Sequence, residues 1–253
     1  MQVFDAPGRK TECRCREGNV LHLRKGLVYE IGKACIHVGY RLVCLGTQLR
    51  GSTDVIDLRG DRDVEWSWVL AELPIESKDI LDFGPGPFPL LSMVAARRGC
   101  QVTAIDRQKM VMTVLVDGIE LMIGNINTYD FGQRKFDVIV NCSTIEHVGL
   151  GGRYGETESE SADLEAMTVL RGLLKPGGKM ILTLPVGQDA VHRPYHRVYG
   201  LERLPRLLQG WHVDKSEFWA KPHSNLWEKV PKEQALQAVT SKQYYALGLF
   251  VLS

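Results

Sequence analysis

The chain lacks a strong charge of either sign. Thirty-one lysines and arginines face thirty acids, a formal net charge of +1. No global field therefore draws it to nucleic acid. It also lacks any run of eighteen apolar residues, which leaves no candidate membrane span. The N-terminal stretch Met-Gln-Val-Phe-Asp-Ala-Pro-Gly-Arg-Lys has no apolar centre of the kind a signal peptide needs, so a cytoplasmic protein is expected. Internal repeats and low-complexity tracts are missing, which excludes solenoids and fibrous classes. The six cysteines (Cys13, Cys15, Cys35, Cys44, Cys100 and Cys142) contain no Cys-x-x-Cys pair. A Cys-x-Cys followed by two lone cysteines does not match a zinc ribbon, and free thiols with no metal are expected. Cys100 and Cys142 fall in or beside apolar runs and are expected to be buried and inert.

What is present is ordinary globular material with one unusual decapeptide. Apolar residues make up 44% and charged residues 24% of 253 residues, enough for one α/β domain with a large core. Residues 80 to 89 read Ile-Leu-Asp-Phe-Gly-Pro-Gly-Pro-Phe-Pro. An apolar run ends in Asp82, Gly84 and Gly86 follow, and apolar residues resume from Leu90 at helical spacing. The pattern is strand, glycine turn, helix, and such a turn exposes bare backbone to a ligand. A second apolar run, 101 to 105, ends in Asp106, the placement that pairs an acid with the two hydroxyls of a ribose.

A nucleoside-binding unit of this kind serves NAD, FAD or S-adenosylmethionine (SAM). Dinucleotide binding wants a third glycine at the helix start, and here prolines occupy that stretch and remove N–H donors a pyrophosphate needs. SAM has no phosphate, so SAM is favoured.

With these residues in place, the chain resembles the class I SAM-dependent methyltransferases (type 11-like) over roughly residues 60 to 253. Asp82-Phe83-Gly84-Pro85-Gly86 resembles the family's glycine loop, and Asp106 its ribose acid. Gly124-Asn125-Ile126 resembles the end of its third strand, with Asn125 where aspartate is usual. Phe136 to Asn141 resembles its fourth strand, continuing into Ile145-Glu146-His147-Val148. Leu174-Lys175-Pro176-Gly177-Gly178 followed by Lys179 to Thr183 resembles its fifth. The resemblance implies a Rossmann-like α/β fold with a mostly parallel seven-stranded sheet, helices on both faces, and an N-terminal extension. It implies SAM contacts from Asp82, Phe83, Gly84, Pro85, Gly86, Asp106, Arg107, Asn125, Ile126 and Asn141.

The remaining pattern supplies element-level expectations. Residues 62 to 73 predict a helix stopped by Pro74, placing Trp66 or Trp68 either over the cofactor or in the core. Only twelve residues separate the second strand from Ile119, room for a short helix or none. Residues 161 to 174 predict an amphipathic helix, 200 to 209 another, and 213 to 219 with 244 to 252 two terminal strands forming an antiparallel pair. Residues 1 to 60 form the extension and 61 to 253 the main domain. The β-prone runs within 19 to 58 suit either a small β meander or irregular extensions with a helix.

Two loops reach the carboxyl edge of the expected sheet, where open α/β folds bind ligands. The first carries Gly149, Gly151, Gly152 and Gly155 with Arg153, Tyr154 and Glu156. The second, 185 to 200, packs His192, Arg193, Tyr195, His196, Arg197 and Tyr199 closely together. Arg153, Tyr154, Arg193 and Arg197 are the candidate substrate-binding residues, suited to a sugar or an anionic small molecule. His196, then His192 and His147, are the candidate bases for a hydroxyl acceptor; Glu146 reads as structural.

Three function classes stand at this point. The first is methyl transfer to a small-molecule or sugar hydroxyl. Segments Glu65 to Trp68, Gly152 to Gly155 and His196 to Gly200 resemble a branch of uncharacterised methyltransferase-like proteins, which implies a glycan or small-metabolite acceptor. The second is an RNA methyltransferase, for which Arg9, Lys10, Arg14, Arg16, Arg24 and Lys25 cluster without aromatic platforms. Residues 141 to 144 read Asn-Cys-Ser-Thr rather than Asn/Asp-Pro-Pro-Tyr, which disfavours base amines. The third is a SAM-binding module without activity.

Overall fold

The computed structural model describes residues 60–253 apart from 113, 153–157 and 222–225, together with ten positions between 31 and 45. The chain divides into two compact units, Met1–Asp54 and Val55–Ser253.

In the first unit, every described position between 31 and 45 is helical. The β reading of runs 34 to 38 and 41 to 45 is therefore corrected, and the alternative of an extension with a helix fits these positions. The signal was periodicity: Ile31, Cys35, Val38, Leu42 and Leu45 recur at spacings of four, three, four and three, a helical stripe that outweighs β-propensity. The earlier β-prone runs, 20 to 31, lie almost wholly outside the described residues.

The second unit begins with α1 (Arg62–Glu72), whose Leu73 turns extended (ψ 137°) ahead of Pro74. There follow β1 (Asp79–Phe83), α2 (Leu90–Arg97), β2 (Gln101–Asp106), β3 (Ile119–Ile123), β4 (Phe136–Cys142), a 3-10 turn (Ile145–His147) and α3 (Ala162–Gly172). The chain continues through β5 (Leu174–Val186), β6 (Ala190–His192), β7 (His196–Val198), α4 (Arg203–Leu207), β8 (Val213–Ala220), β9 (Glu228–Lys229), α5 (Lys232–Leu236) and β10 (Ala246–Leu252). Among the described residues no helix separates β2 from β3, as the twelve-residue spacing allows.

The main sheet runs β3-β2-β1-β4-β5-β10-β8-β9. The first five strands are parallel, and β10 is antiparallel to both β5 and β8. The expected mostly parallel sheet is present, with eight strands rather than seven. The addition is β9, two residues on the edge of β8, too short to register as an apolar run. Strand β5 starts five residues before Lys179, with a register shift on β4 between Phe136 and Val138 that absorbs the Lys175-Pro-Gly-Gly turn.

Alternation along the strands builds two cores. Ile80, Val102, Val140, Ile181 and Leu249 face one way and pack under Trp68 and Val69 of α1, Leu73 just after it, and Leu91 and Ala95 of α2. Leu81, Ile105, Ile139, Met180 and Leu182 face the other, against α3, α4 and α5. The helices thus lie on both faces, as expected. Strand order reverses between β1 and β4, and a crevice opens outside the carboxyl ends of strands at such a switch.

Candidate functional site

A cavity of about 650 Å³ occupies that crevice, within the usual range for small-molecule sites. The sheet order gives it two ends. At one stand Asp106 and Arg107 after β2 and Gly124, Asn125 and Ile126 after β3; at the other stand Cys142, Ser143, Thr144, His147 and Val148 after β4. The glycine loop after β1 lies between them.

The loop is shaped by two different demands. Gly84 (φ +69°) must be glycine because a Cβ would lie 2.0 Å from the Thr144 side chain, whose hydroxyl donates to the Gly84 carbonyl. Gly86 (φ +74°) meets nothing within 4 Å, so here the bare backbone faces open space. Asp106 ties the loop down: Oδ2 accepts from the Gly86 N–H at 2.9 Å and Oδ1 from the Gln108 N–H at 2.8 Å. A carboxylate has about four lone-pair sites, so it retains acceptor capacity for two ligand hydroxyls. Beneath the loop, Asp82 accepts from the Ser92 hydroxyl at 2.5 Å, and burial pushes its carboxyl up to about 6.

Nine of the ten expected cofactor residues line this cavity. The exception is Asn141, fully buried, whose Oδ1 accepts from the Ile145 N–H and so shapes the 3-10 turn from below. Asn125 lines the cavity while its Oδ1 also accepts from the Asn127 N–H. Trp66 lines the cavity and Trp68 is core, which separates the two readings of α1.

The candidate bases separate as well. His147 lines the cavity; its Nδ1 lies 2.5 Å from the Tyr195 carbonyl, which fixes a proton on Nδ1, and its Nε2 is 3.6 Å from Glu146 Oε1. Burial pushes Glu146 up to about 8. His196, the first choice from sequence, is 5% exposed in β7, packs edge-on to Tyr245 and His192, and does not line the cavity. His192 lies opposite it in the β6–β7 hairpin, with Nε2 3.2 Å from the Thr240 hydroxyl, and burial lowers its pKa, helped by Lys242. Sequence expected a loop here; the segment is a hairpin, and neither ring lines the cavity.

The arginine candidates lie in different surroundings. Arg197 is 2% exposed and clamps the preceding loop: its guanidinium donates to the carbonyls of Val148 and, at 2.9 Å, Ser159, and lies 3.6 Å from Asp163. Asp163 in turn accepts from the Tyr199 hydroxyl at 2.9 Å. Buried among these partners, Arg197 does not line the cavity. Arg193 pairs with Glu158 on the surface. Arg153 and Tyr154 lie outside the described residues.

Residues missed from sequence are Arg62, Ser143, Thr144 and the buried Glu65. Glu65, on α1, takes hydroxyl donors from Ser143 and Thr183 and an Arg62 N–H at 2.8 Å, joining α1 to the ends of β4 and β5. Burial raises its carboxyl. An acid and an arginine at a helix start read as ordinary surface charge, and contacts about eighty residues away are invisible locally.

The strand order, the glycine loop and the acid after β2 define a Rossmann-like methyltransferase fold. By sequence, the chain belongs to the family described as Caenorhabditis protein of unknown function, DUF268, whose model matches residues 89–242. No curated protein matches it. A Listeria monocytogenes protein assigned as an S-adenosylmethionine-dependent methyltransferase shares the fold at TM-score 0.50 and 14% identity, over 76% of this chain and 98% of that one. The N-methyltransferase NodS of Bradyrhizobium japonicum, crystallised with S-adenosylhomocysteine, aligns at TM-score 0.49 and 15% identity over 77% and 88%. A Burkholderia thailandensis 1,6-didemethyltoxoflavin N1-methyltransferase aligns at 0.48 and 13% over 96% and 92%.

Proposed function

We propose that this protein is a SAM-dependent methyltransferase acting on a hydroxyl of a small molecule, sugars included. The supporting observation is one cavity that gathers Asp106 and Asn125 at one end, a histidine at the other and the glycine loop between them. Asp106 would accept from the ribose hydroxyls, the open backbone at Gly86 would let the nucleoside lie close, and Asn125 and Ile126 would hold the base. When bound, SAM would supply an activated methyl group, exchanging its S–CH3 bond for an O–CH3 bond on the acceptor with S-adenosylhomocysteine as the other product.

The chain's own contribution is orientation and proton removal. With Nδ1–H held by the Tyr195 carbonyl, the His147 ring presents Nε2 as its basic nitrogen, and the acceptor's proton passes there. Glu146, whose carboxyl burial raises to about 8, has Oε1 3.6 Å from that nitrogen, close enough for its deprotonated form to offset an imidazolium. His147 thus replaces His196 as the preferred base.

The test is turnover, read as S-adenosylhomocysteine release, against a panel of hydroxyl-bearing sugars and metabolites. On a verified acceptor, His147→Ala should cut kcat by roughly a hundredfold, the usual size of a general-base contribution, with donor affinity nearly unchanged. Full turnover in that variant would remove the base, and transfer only to amines would remove the hydroxyl.

A further inference from the structure

Arg62 opens α1, and its side chain is 46% exposed on the wall of the cavity. Its Nη1 donates to Glu65 Oε2 at 2.8 Å and lies 3.9 Å from the Cys142 sulfur; its Nε is 3.9 Å from Asp61 Oδ1. Among the described residues nothing accepts from Nη2. The anchor is rigid: Glu65 is fully buried and its other oxygen is held by the hydroxyls of Ser143 and Thr183. A guanidinium held through Nη1 on the wall of a cavity keeps Nη2 for an anion such as a carboxylate.

Position says which carboxylate. Asp106 lies after β2 and Cys142 after β4, with β1 between them in the sheet. Two strand spacings are about 10 Å, so a ligand whose ribose sits on Asp106 extends its far end past the glycine loop toward Arg62. Asp82 lines the stretch between and offers an acceptor to a cation. An α-amino acid group needs both partners.

We propose that Arg62, held by Glu65, binds the α-carboxylate at the amino-acid end of the methyl donor. This rests on the donor reading above and specifies one residue within it.

Calorimetric titration with two compounds isolates the contact. S-adenosylhomocysteine carries the carboxylate; 5′-deoxy-5′-methylthioadenosine keeps the nucleoside and lacks the amino-acid end. Arg62→Gln should bind S-adenosylhomocysteine roughly ten- to a hundredfold more weakly, the size of a charge-assisted hydrogen bond, while its affinity for methylthioadenosine stays within about twofold of the parent. Arg62→Lys should recover part of the loss. Because Arg62→Gln leaves Glu65 without its cation, Arg62→Gln/Glu65→Gln is titrated beside it and should show the same selective loss. Equal losses for both compounds would overturn the proposal in favour of a general role in cavity shape. Unchanged S-adenosylhomocysteine affinity would overturn it in favour of an acceptor anion. A parent protein that binds neither compound would overturn the donor reading itself, and this proposal with it.

Discussion

Glu146 is a carboxyl taken almost wholly out of water beside a cavity, 2% exposed, with the Glu65 carboxyl adding to the effect of burial. Its pKa rises from an ordinary 4.5 to about 8 on folding. The folded state therefore holds a proton that the unfolded chain releases. The resulting stabilisation is complete below pH 4.5 and is lost as pH rises to about 8. Glu146→Gln, which copies the neutral form, should match the parent near pH 5 and gain on it steadily by pH 8.5, by on the order of 2 kcal/mol or more. Urea midpoints across that range measure it; parallel pH profiles would show that Glu146 ionises freely in the fold. At this scale the sequence made Asp106, Gly84 and Gly86 legible, because each ends or directly follows an apolar run, although the side chain that demands glycine at 84 is Thr144, sixty positions on. It left His196, Arg197 and Asn141 illegible, since whether a polar side chain meets a ligand or a nearby carbonyl depends on register. Arg62 and Glu65 were hidden because their partners, Cys142, Ser143 and Thr183, come from distant strands.

The element that organises the acceptor side is the segment from β6 to Tyr199. Its internal pairing is only three residues long in each strand, held to the main sheet by a bridge from Tyr199 to Val186. Arg197 anchors it further, reaching the carbonyls of Val148 and Ser159 and the Asp163 carboxylate. Cutting one partner from a buried charged pair typically costs about 3–5 kcal/mol. Arg197→Ala should therefore lower the unfolding free energy by that amount, and Asp163→Asn added to Arg197→Met should restore part of it. Chemical denaturation decides the matter: a loss under about 1 kcal/mol, with weaker acceptor binding, would return Arg197 to the substrate. The longer elements followed from sequence because apolar alternation, Pro74 and the glycine after Lys175 punctuate them. The hairpin did not, since three residues are too few to show a period. The helical stripe in the first unit was readable and was overshadowed by β-prone composition.

For the whole molecule, strand order is what turns scattered signals into one site. The reversal between β1 and β4 brings Asp106 and His147, forty-one positions apart in the chain, onto one cavity. No local pattern states that order; it came through the resemblance, and the extra edge strand β9 departs from it at no cost to the crevice. The described residues contain no helix long and apolar enough to cross a membrane. They also hold no cluster of three or more metal-ligating side chains, while Cys13, Cys15 and Cys44 lie outside the described residues. Everything proposed about catalysis depends on the cavity taking an adenosyl sulfonium or its product. The most direct measurement is calorimetric titration of the full chain with S-adenosylhomocysteine, beside NAD and beside Asp106→Ala. Saturable binding with a stoichiometry near one is expected, weakened at least about tenfold in Asp106→Ala because the ribose hydroxyls lose a charge-assisted acceptor, with no comparable affinity for NAD. Preference for NAD, or the same affinity in Asp106→Ala, would contradict it.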